Sequence, residues 1–305
     1  MRRRAKVGLF IILGVAGLLA WYYKIPGLAY HWTSMQAQAS EWKGKSVWLP
    51  RYRVTLEGLP IQGLTENASG LTFNTRTGTL FSVINRPAQV AELTTDGRLL
   101  RLIPITGAKD PEGITHVEDD LFIIADEREG HLHWVRITPD TKTVAIPQGP
   151  RLGLGFDMIK NLGLEGVSWD HVGHRLFVVN EKWPLRILMV SGLKQLIEDG
   201  EFDLQIREWK SSPAASLFMA DLSSLTLHER TGTLLMLSHE SAMVVEYGPD
   251  GSSISMMPLW RGFHGLSKTV PQAEGIAVGE DGTLYVMSEP NLLYRFEPAD
   301  AQPAQ

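Results

Sequence analysis

The chain has 305 residues, 44% hydrophobic and 21% charged, which is ample for a packed core and carries no compositional mark of disorder. A formal net charge of −5 and a pI near 6.0 exclude a surface built to neutralise phosphates, so no nucleic-acid partner is expected. The absence of cysteine excludes disulfides, thiolate metal sites and a cysteine nucleophile.

The chain opens on a cationic head, Met1-Arg2-Arg3-Arg4-Ala5-Lys6, followed by 17 uncharged residues, 7–23, that end in Trp21, Tyr22 and Tyr23 before Lys24. A bilayer span needs about 17 to 25 such residues, so this run suffices for one transmembrane helix. The positive-inside rule keeps the arginines cytoplasmic and sends the remainder across. A cleaved signal peptide is the alternative, because Ala37-Gln38-Ala39 has a processing-site pattern, but residues 24–36 separate it from the apolar stretch. Residues 25–50 then read as a juxtamembrane tether giving reach, with Trp32, Trp42 and Trp48 and a short helix around 34–42.

From residue 51 onward the pattern is one of strands separated by Thr-Gly-Thr, Asp-Gly and Pro-Asp turns. A phrase recurs five times: Ser69-Gly70-Leu71-Thr72, Glu112-Gly113-Ile114-Thr115, Glu165-Gly166-Val167-Ser168, Ser223-Ser224-Leu225-Thr226 and Glu274-Gly275-Ile276-Ala277. Its glycine-type position reads as a turn into an apolar strand. The copies lie 43 to 58 residues apart, a spacing that suits four-stranded propeller blades. Each is followed by a second strand running five residues from a leucine to a polar residue: Leu80 to Asn85, Leu121 to Asp126, Leu176 to Glu181, Leu234 to His239 and Leu284 to Glu289. The second unit takes residues 143–146 as its fourth strand, and the third carries a short helical insertion at 193–197. The fifth unit has three strands, and an unassigned strand at 52–56 fills its gap, which removes open edges. An open sandwich or β-solenoid is the competing architecture. The fold class is therefore all-β: a five-bladed β-propeller of four-stranded blades, closed by an N-terminal strand and preceded by one transmembrane helix. Head and anchor occupy residues 1–24, the tether 25–50, the propeller 51–298 and a tail 299–305.

In an antiparallel pair the start of the first strand lies beside the end of the second, so two polar columns meet at one mouth of the channel. The first column is Ser69, Glu112, Glu165, Ser223 and Glu274; the second is Asn85, Asp126, Glu181, His239 and Glu289, with Asn180, Glu127 and Glu240 adjoining. Carboxylates at that density raise one another's pKa unless a cation joins them. Oxygen donors without sulfur suit a hard ion such as Ca²⁺. The candidate metal ligands are Glu112, Glu165, Glu274, Asp126, Glu181 and Glu289, with Asp221 behind them. The plainer reading makes these acids solvated rim residues or caps for neighbouring strand amides.

The same five segments, from Ala68-Ser69-Gly70-Leu71-Thr72-Phe73 to Ala273-Glu274-Gly275-Ile276-Ala277, resemble the SdiA-regulated protein family over roughly residues 52–297. The resemblance implies a five-bladed propeller distantly similar to NHL-repeat proteins, a calcium site and no established activity. Taken with the cationic head and the apolar run, the expected location is the bacterial inner membrane, single-pass, with the C-terminal domain in the periplasm. Ser224, in place of the glycine, and His239, in place of an acid or amide, set the fourth unit apart.

Other constellations are weaker. His131 and His133 alternate on one strand face as a metal pair would, although surface residues do the same. His171 and His174 flank a hairpin turn, where exposure is the simplest account. No nucleophile elbow, phosphate loop or complete dinucleotide fingerprint occurs. Trp169, Trp183, Trp209 and Trp260 either decorate a ligand face or pack between blades. Two functions fit. One is a membrane-anchored calcium-binding module that presents its ring face, with insertions at 147–162, 211–219 and 261–272, to a protein or envelope ligand. The other is a metal-dependent hydrolase of lactones or phosphate esters.

Overall fold

The computed structural model describes residues 11–15, 17–20, 25–146, 151–154, 163–181, 185–193, 203–209 and 217–299. The cationic head, residues 211–216 of the 211–219 insertion, Trp183 and the tail beyond residue 299 lie outside them, as does most of the 147–162 and of the 193–197 insertion.

Five sheets, antiparallel but for one short parallel strand, follow one another after a strand β1 (Tyr52–Pro60) that precedes them in the chain. The first blade is β2 (Ala68–Asn74), β3 (Thr79–Ile84), β4 (Gln89–Leu93) and β5 (Leu99–Thr106). The second begins β6 (Pro111–Glu118), β7 (Leu121–Asp126) and β8 (His131–Arg136), followed by β9 (Val144–Ala145) and β10 (Arg151–Gly153). The third is β11 (Leu164–Asp170), β12 (Arg175–Asn180), β13 (Arg186–Ser191) and β14 (Gln205–Trp209). The fourth is β15 (Ser224–His228), β16 (Thr233–Ser238), β17 (Met243–Tyr247) and β18 (Ser253–Pro258). In the fifth, β19 (Ala273–Val278), β20 (Leu284–Ser288) and β21 (Leu292–Pro298) are joined at the outer edge by β1, with Tyr52 opposite Pro298 and Pro60 opposite Leu292. The innermost strands β2, β6, β11, β15 and β19 touch in that order, and β19 touches β2, so the chain is a five-bladed propeller.

The second blade corrects one expectation. Residues Val144 and Ala145 do not form its outer strand but add in parallel to β5 of the first blade, and β10 takes the outer position against β8. The cause is apolar burial: Val144 and Ile146 fill the groove between the first two blades beside Ile105 and Ile137.

Each blade is buried on both faces, which explains why its middle strands read as continuous apolar runs rather than alternating ones. In β7, Phe122 and Ile124 pack toward the first blade while Leu121, Ile123 and Ala125 pack toward the third. Fully burying one such side chain stabilises the fold by roughly 1.5 to 3 kcal/mol.

The recurrent phrase proves to be the stitch of the ring. Its glycines lie inside strands, not in turns, and none has a positive φ. A Cβ on Gly70 would meet the Glu112 carbonyl of the next blade at 2.5 Å, and one on Gly166 would meet Ser224 Cα at 2.8 Å. Glycine is therefore required by close backbone approach around the axis. The hydroxyl two residues later accepts an amide from the next blade: His116 N–H to Thr72 at 3.2 Å, Trp169 N–H to Thr115 at 2.9 Å and Leu227 N–H to Ser168 at 3.0 Å.

Among the described residues no single helix is long and apolar enough to cross a membrane, although α1 (Ile11–Ala20) and α2 (Ile25–Trp42), bent by 57°, pass that test together. The segment expected to give reach is docked. In α2, His31 stacks on Phe218 at 4.0 Å and its Nδ1 lies 2.6 Å from Ser253 Oγ, while Met35 is buried against β18.

Candidate metal centre at the channel mouth

Four inner strands break register at the first position of the phrase, which is Ser69 in β2, between Ala68 and Leu71, and an acid in the other three. In β6 the shift brackets Glu112, between Pro111 and Gly113; in β19 it brackets Glu274, between Ala273 and Gly275; in β11 it covers Glu165, between Leu164 and Val167. A bulge re-aims a side chain that regular pleating would bury against a neighbouring blade. No such shift occurs between β15 and β16, where Ser224 replaces the glycine. The serines at the acid position serve the ring instead: Ser69 donates to the Glu112 carbonyl at 3.1 Å and Ser223 to the Ala273 carbonyl at 2.7 Å.

The second column is shifted in the second blade. Asn85, Glu127, Glu181 and Glu289 each donate their backbone N–H to the residue preceding or near the start of the inner strand, Asn67, Asp110, Gly163 and Gln272 respectively. Glu127 thus stands where Asp126 was expected. The reason is the hairpin: β6 and β7 are joined through only Asp119 and Asp120, so Leu121 begins the strand one residue early.

Asp126 is fully buried and accepts the amides of Lys109 at 2.7 Å and of Asp110 and Glu129 at 3.3 Å each. Asp221, also fully buried, accepts the Ser238 hydroxyl and the Glu240 amide. Both bracket the loops at the mouth.

The remaining acids converge unevenly. Asp110, Glu112 and Glu127 offer oxygens within 4.8 Å of one another, and so do Glu127, Glu165 and Glu181, so Glu127 belongs to both groups. Its side chain crosses from the second blade over Gly163, where any Cβ would overlap the carboxylate. Glu274 and Glu289 sit at the same mouth outside these groups; His239 Nδ1 lies 3.4 Å from Glu274 Oε1. Asp110 was not singled out from the sequence, although its place two residues before Glu112 matches that of Asp221 before Ser223.

Electrostatics mark the site. Burial raises the Glu112 pKa to about 7, against the opposing bond from Asn85 Nδ2 at 2.7 Å. Burial, then Glu289 and Glu112, raises that of Glu274 to about 8. Glu165 is raised well above the ordinary range by burial and then by the charges of Glu112, Glu127, Glu181 and Glu274. Burial also raises Glu289, while His239 opposes the shift.

The donor set fits a hard cation. Every candidate ligand atom is oxygen, and two buried oxygens here, Asp110 Oδ1 and Asn85 Oδ1, have no hydrogen-bond partner among the described residues. The other Asp110 oxygen is held by Arg128 at 3.1 Å, with Arg86 at 3.7 Å.

Solved structures share the fold at low identity. They include the calcium-binding protein regucalcin from Agrobacterium tumefaciens, with a TM-score of 0.51 and 13% identity over 79% of this chain and 93% of that one. Glutaminyl cyclase from Myxococcus xanthus gives a TM-score of 0.50 and 14% identity over 81% and 95%. A streptogramin B lyase gives 0.47 and 10% over 83% and 99%. The sequence profile described as SdiA-regulated matches residues 44–297.

Proposed function

The chain belongs to the SdiA-regulated family, and from that premise we propose that it is a cation-binding propeller acting as a recognition module of the cell envelope. The observation that carries this reading is Glu127, common to two carboxylate groups that draw on the second and third blades. Glu127 would hold the ion with Asp110 and Glu112 or with Glu165 and Glu181, and Ca²⁺ suits their oxygens. The ion would neutralise mutual repulsion and join blades distant in sequence, stabilising the folded state by binding it alone.

The apolar run behind its cationic head supports a single-pass anchor in the bacterial inner membrane, with the propeller in the periplasm. A protein or envelope ligand would meet the loops of the ring face.

The pairing of His239 with Glu274, beside the cluster, favours a second reading, a metal-dependent hydrolase of lactones or phosphate esters. In it Glu181 or Glu289 would serve as general base; Asp126 would not, since its oxygens are taken by amides. One experiment separates the two. The full chain is stripped with EGTA, then followed for melting temperature and for turnover of a lactone and phosphoester panel with and without Ca²⁺. A Ca²⁺-dependent rise in melting temperature without turnover supports the recognition module; Ca²⁺-dependent turnover supports the hydrolase. No response in either defeats the cation reading.

A further inference from the structure

The opposite end of the channel carries a pair of histidines that the acidic mouth does not use. His116 lies four residues along β6 from Glu112, roughly 13 Å away at about 3.3 Å per residue. His171 follows β11 in the next blade, and the two rings stand 5.8 Å apart, tilted by 42°.

Each ring has one nitrogen committed to an oxygen. His116 Nε2 is 3.0 Å from the Asp119 carbonyl, and His171 Nδ1 is 3.0 Å from Glu229 Oε1. A carbonyl or carboxylate partner requires that nitrogen to carry the proton, which leaves the lone pair on the other one. Those other nitrogens, His116 Nδ1 and His171 Nε2, are buried and have no partner among the described residues. A metal-ligating histidine has this arrangement, with its distal N–H given to a carbonyl or carboxylate that fixes tautomer and ring orientation. Glu229 also accepts the His171 backbone amide at 2.8 Å, so its position is set twice. The nearby Arg76 guanidinium is paired with Asp120.

We propose that His116 Nδ1 and His171 Nε2 form a site for a divalent transition ion of the zinc class, with Glu229 as the outer partner of His171 and solvent completing the coordination. Imidazole donors select this class over Ca²⁺, which takes oxygens. His116 is almost fully buried, whereas the His171 side chain is 38% exposed, which gives the ion an approach from solvent. The site would tie the second blade to the third, with Glu229 of the fourth behind it.

The test uses the full chain, stripped of metal and saturated with Ca²⁺ so that carboxylate sites are filled, and titrated with Zn²⁺ by calorimetry and with Co²⁺ by visible absorption. One zinc equivalent is expected to bind and to raise the melting temperature. Glu229→Gln is expected to weaken binding about 10- to 100-fold, the usual effect of losing an outer partner, and His171→Ala by more. His116→Asn should do the same; should it fail to fold, His171→Ala, on an exposed turn, decides alone. Absence of zinc binding, binding unchanged in His171→Ala, or binding lost only in His131→Ala would overturn the proposal.

Discussion

Asn85, just past the second strand of the first blade, donates its side-chain amide to Glu112 Oε1 of the second blade at 2.7 Å. The bond spans two blades and joins the two polar columns at the mouth. It favours the charged form of Glu112, yet burial outweighs it and the carboxyl titrates near 7. The mouth is thus stocked with acids that the fold alone does not keep ionised.

The first prediction is a change of sign. Glu165→Gln keeps the shape of the side chain and removes a buried carboxyl that four neighbouring carboxylates oppose. In the metal-free protein it is expected to raise the melting temperature by several degrees. With Ca²⁺ present, the variant should be the less stable of the two. Thermal unfolding of both proteins in EGTA and in Ca²⁺ checks this, and a variant that melts lower in both conditions would contradict it.

A second prediction concerns pH. The carboxyls of Glu112 and Glu274 titrate at about 7 and about 8 in the folded state, above the 4.5 of a free glutamate. Between these limits the native state holds more protons than the unfolded chain, so stability falls as pH rises. Metal-free protein should therefore lose melting temperature between about pH 5 and pH 8, and Ca²⁺ should flatten the decline. A melting temperature rising over that interval in EGTA would be inconsistent with the shifts.

The ring stitch gives a third. Thr115→Val preserves shape but leaves the Trp169 amide of the next blade without its acceptor. A buried donor left unpaired costs about 1 to 3 kcal/mol, whereas Thr115→Ser should be close to neutral. Urea unfolding of the two variants measures the difference; equal losses would mean that the hydroxyl is not what matters.

The fourth lies at the entry to the propeller. Glu246, fully buried, accepts the amides of Val47 at 2.7 Å and Trp48 at 3.0 Å and the Ser255 hydroxyl at 2.6 Å. Glu246→Ala strands these donors and should cost about 3 kcal/mol or more, with Ca²⁺ affinity unchanged. Calorimetry and denaturant unfolding of one preparation would test both halves.

Much of this was legible in the chain. Five phrases such as Glu112-Gly113-Ile114-Thr115 announced five blades, because each of the four positions answers a physical demand: an acid on a bulge, a glycine where backbones crowd, a buried aliphatic, and a hydroxyl for the next blade's amide. What sequence could not yield was register and docking. The two-residue hairpin at Asp119 and Asp120 moved the second column by one, replacing Asp126 with Glu127. The destination of Val144 depended on which groove was left unfilled. The docking of α2 turned on His31, Met35 and Phe218, residues with no periodic signature. Nor does sequence distinguish an acid that brackets amides, such as Asp221, from one free to face the channel.

The most direct measurement is a crystal structure of the full chain grown in Ca²⁺. A cation contacting Glu127 together with Asp110 and Glu112 or with Glu165 and Glu181 is expected, with Asp126 and Asp221 still on their amides. A mouth with no ion at saturating Ca²⁺, its glutamates turned to solvent, would contradict it.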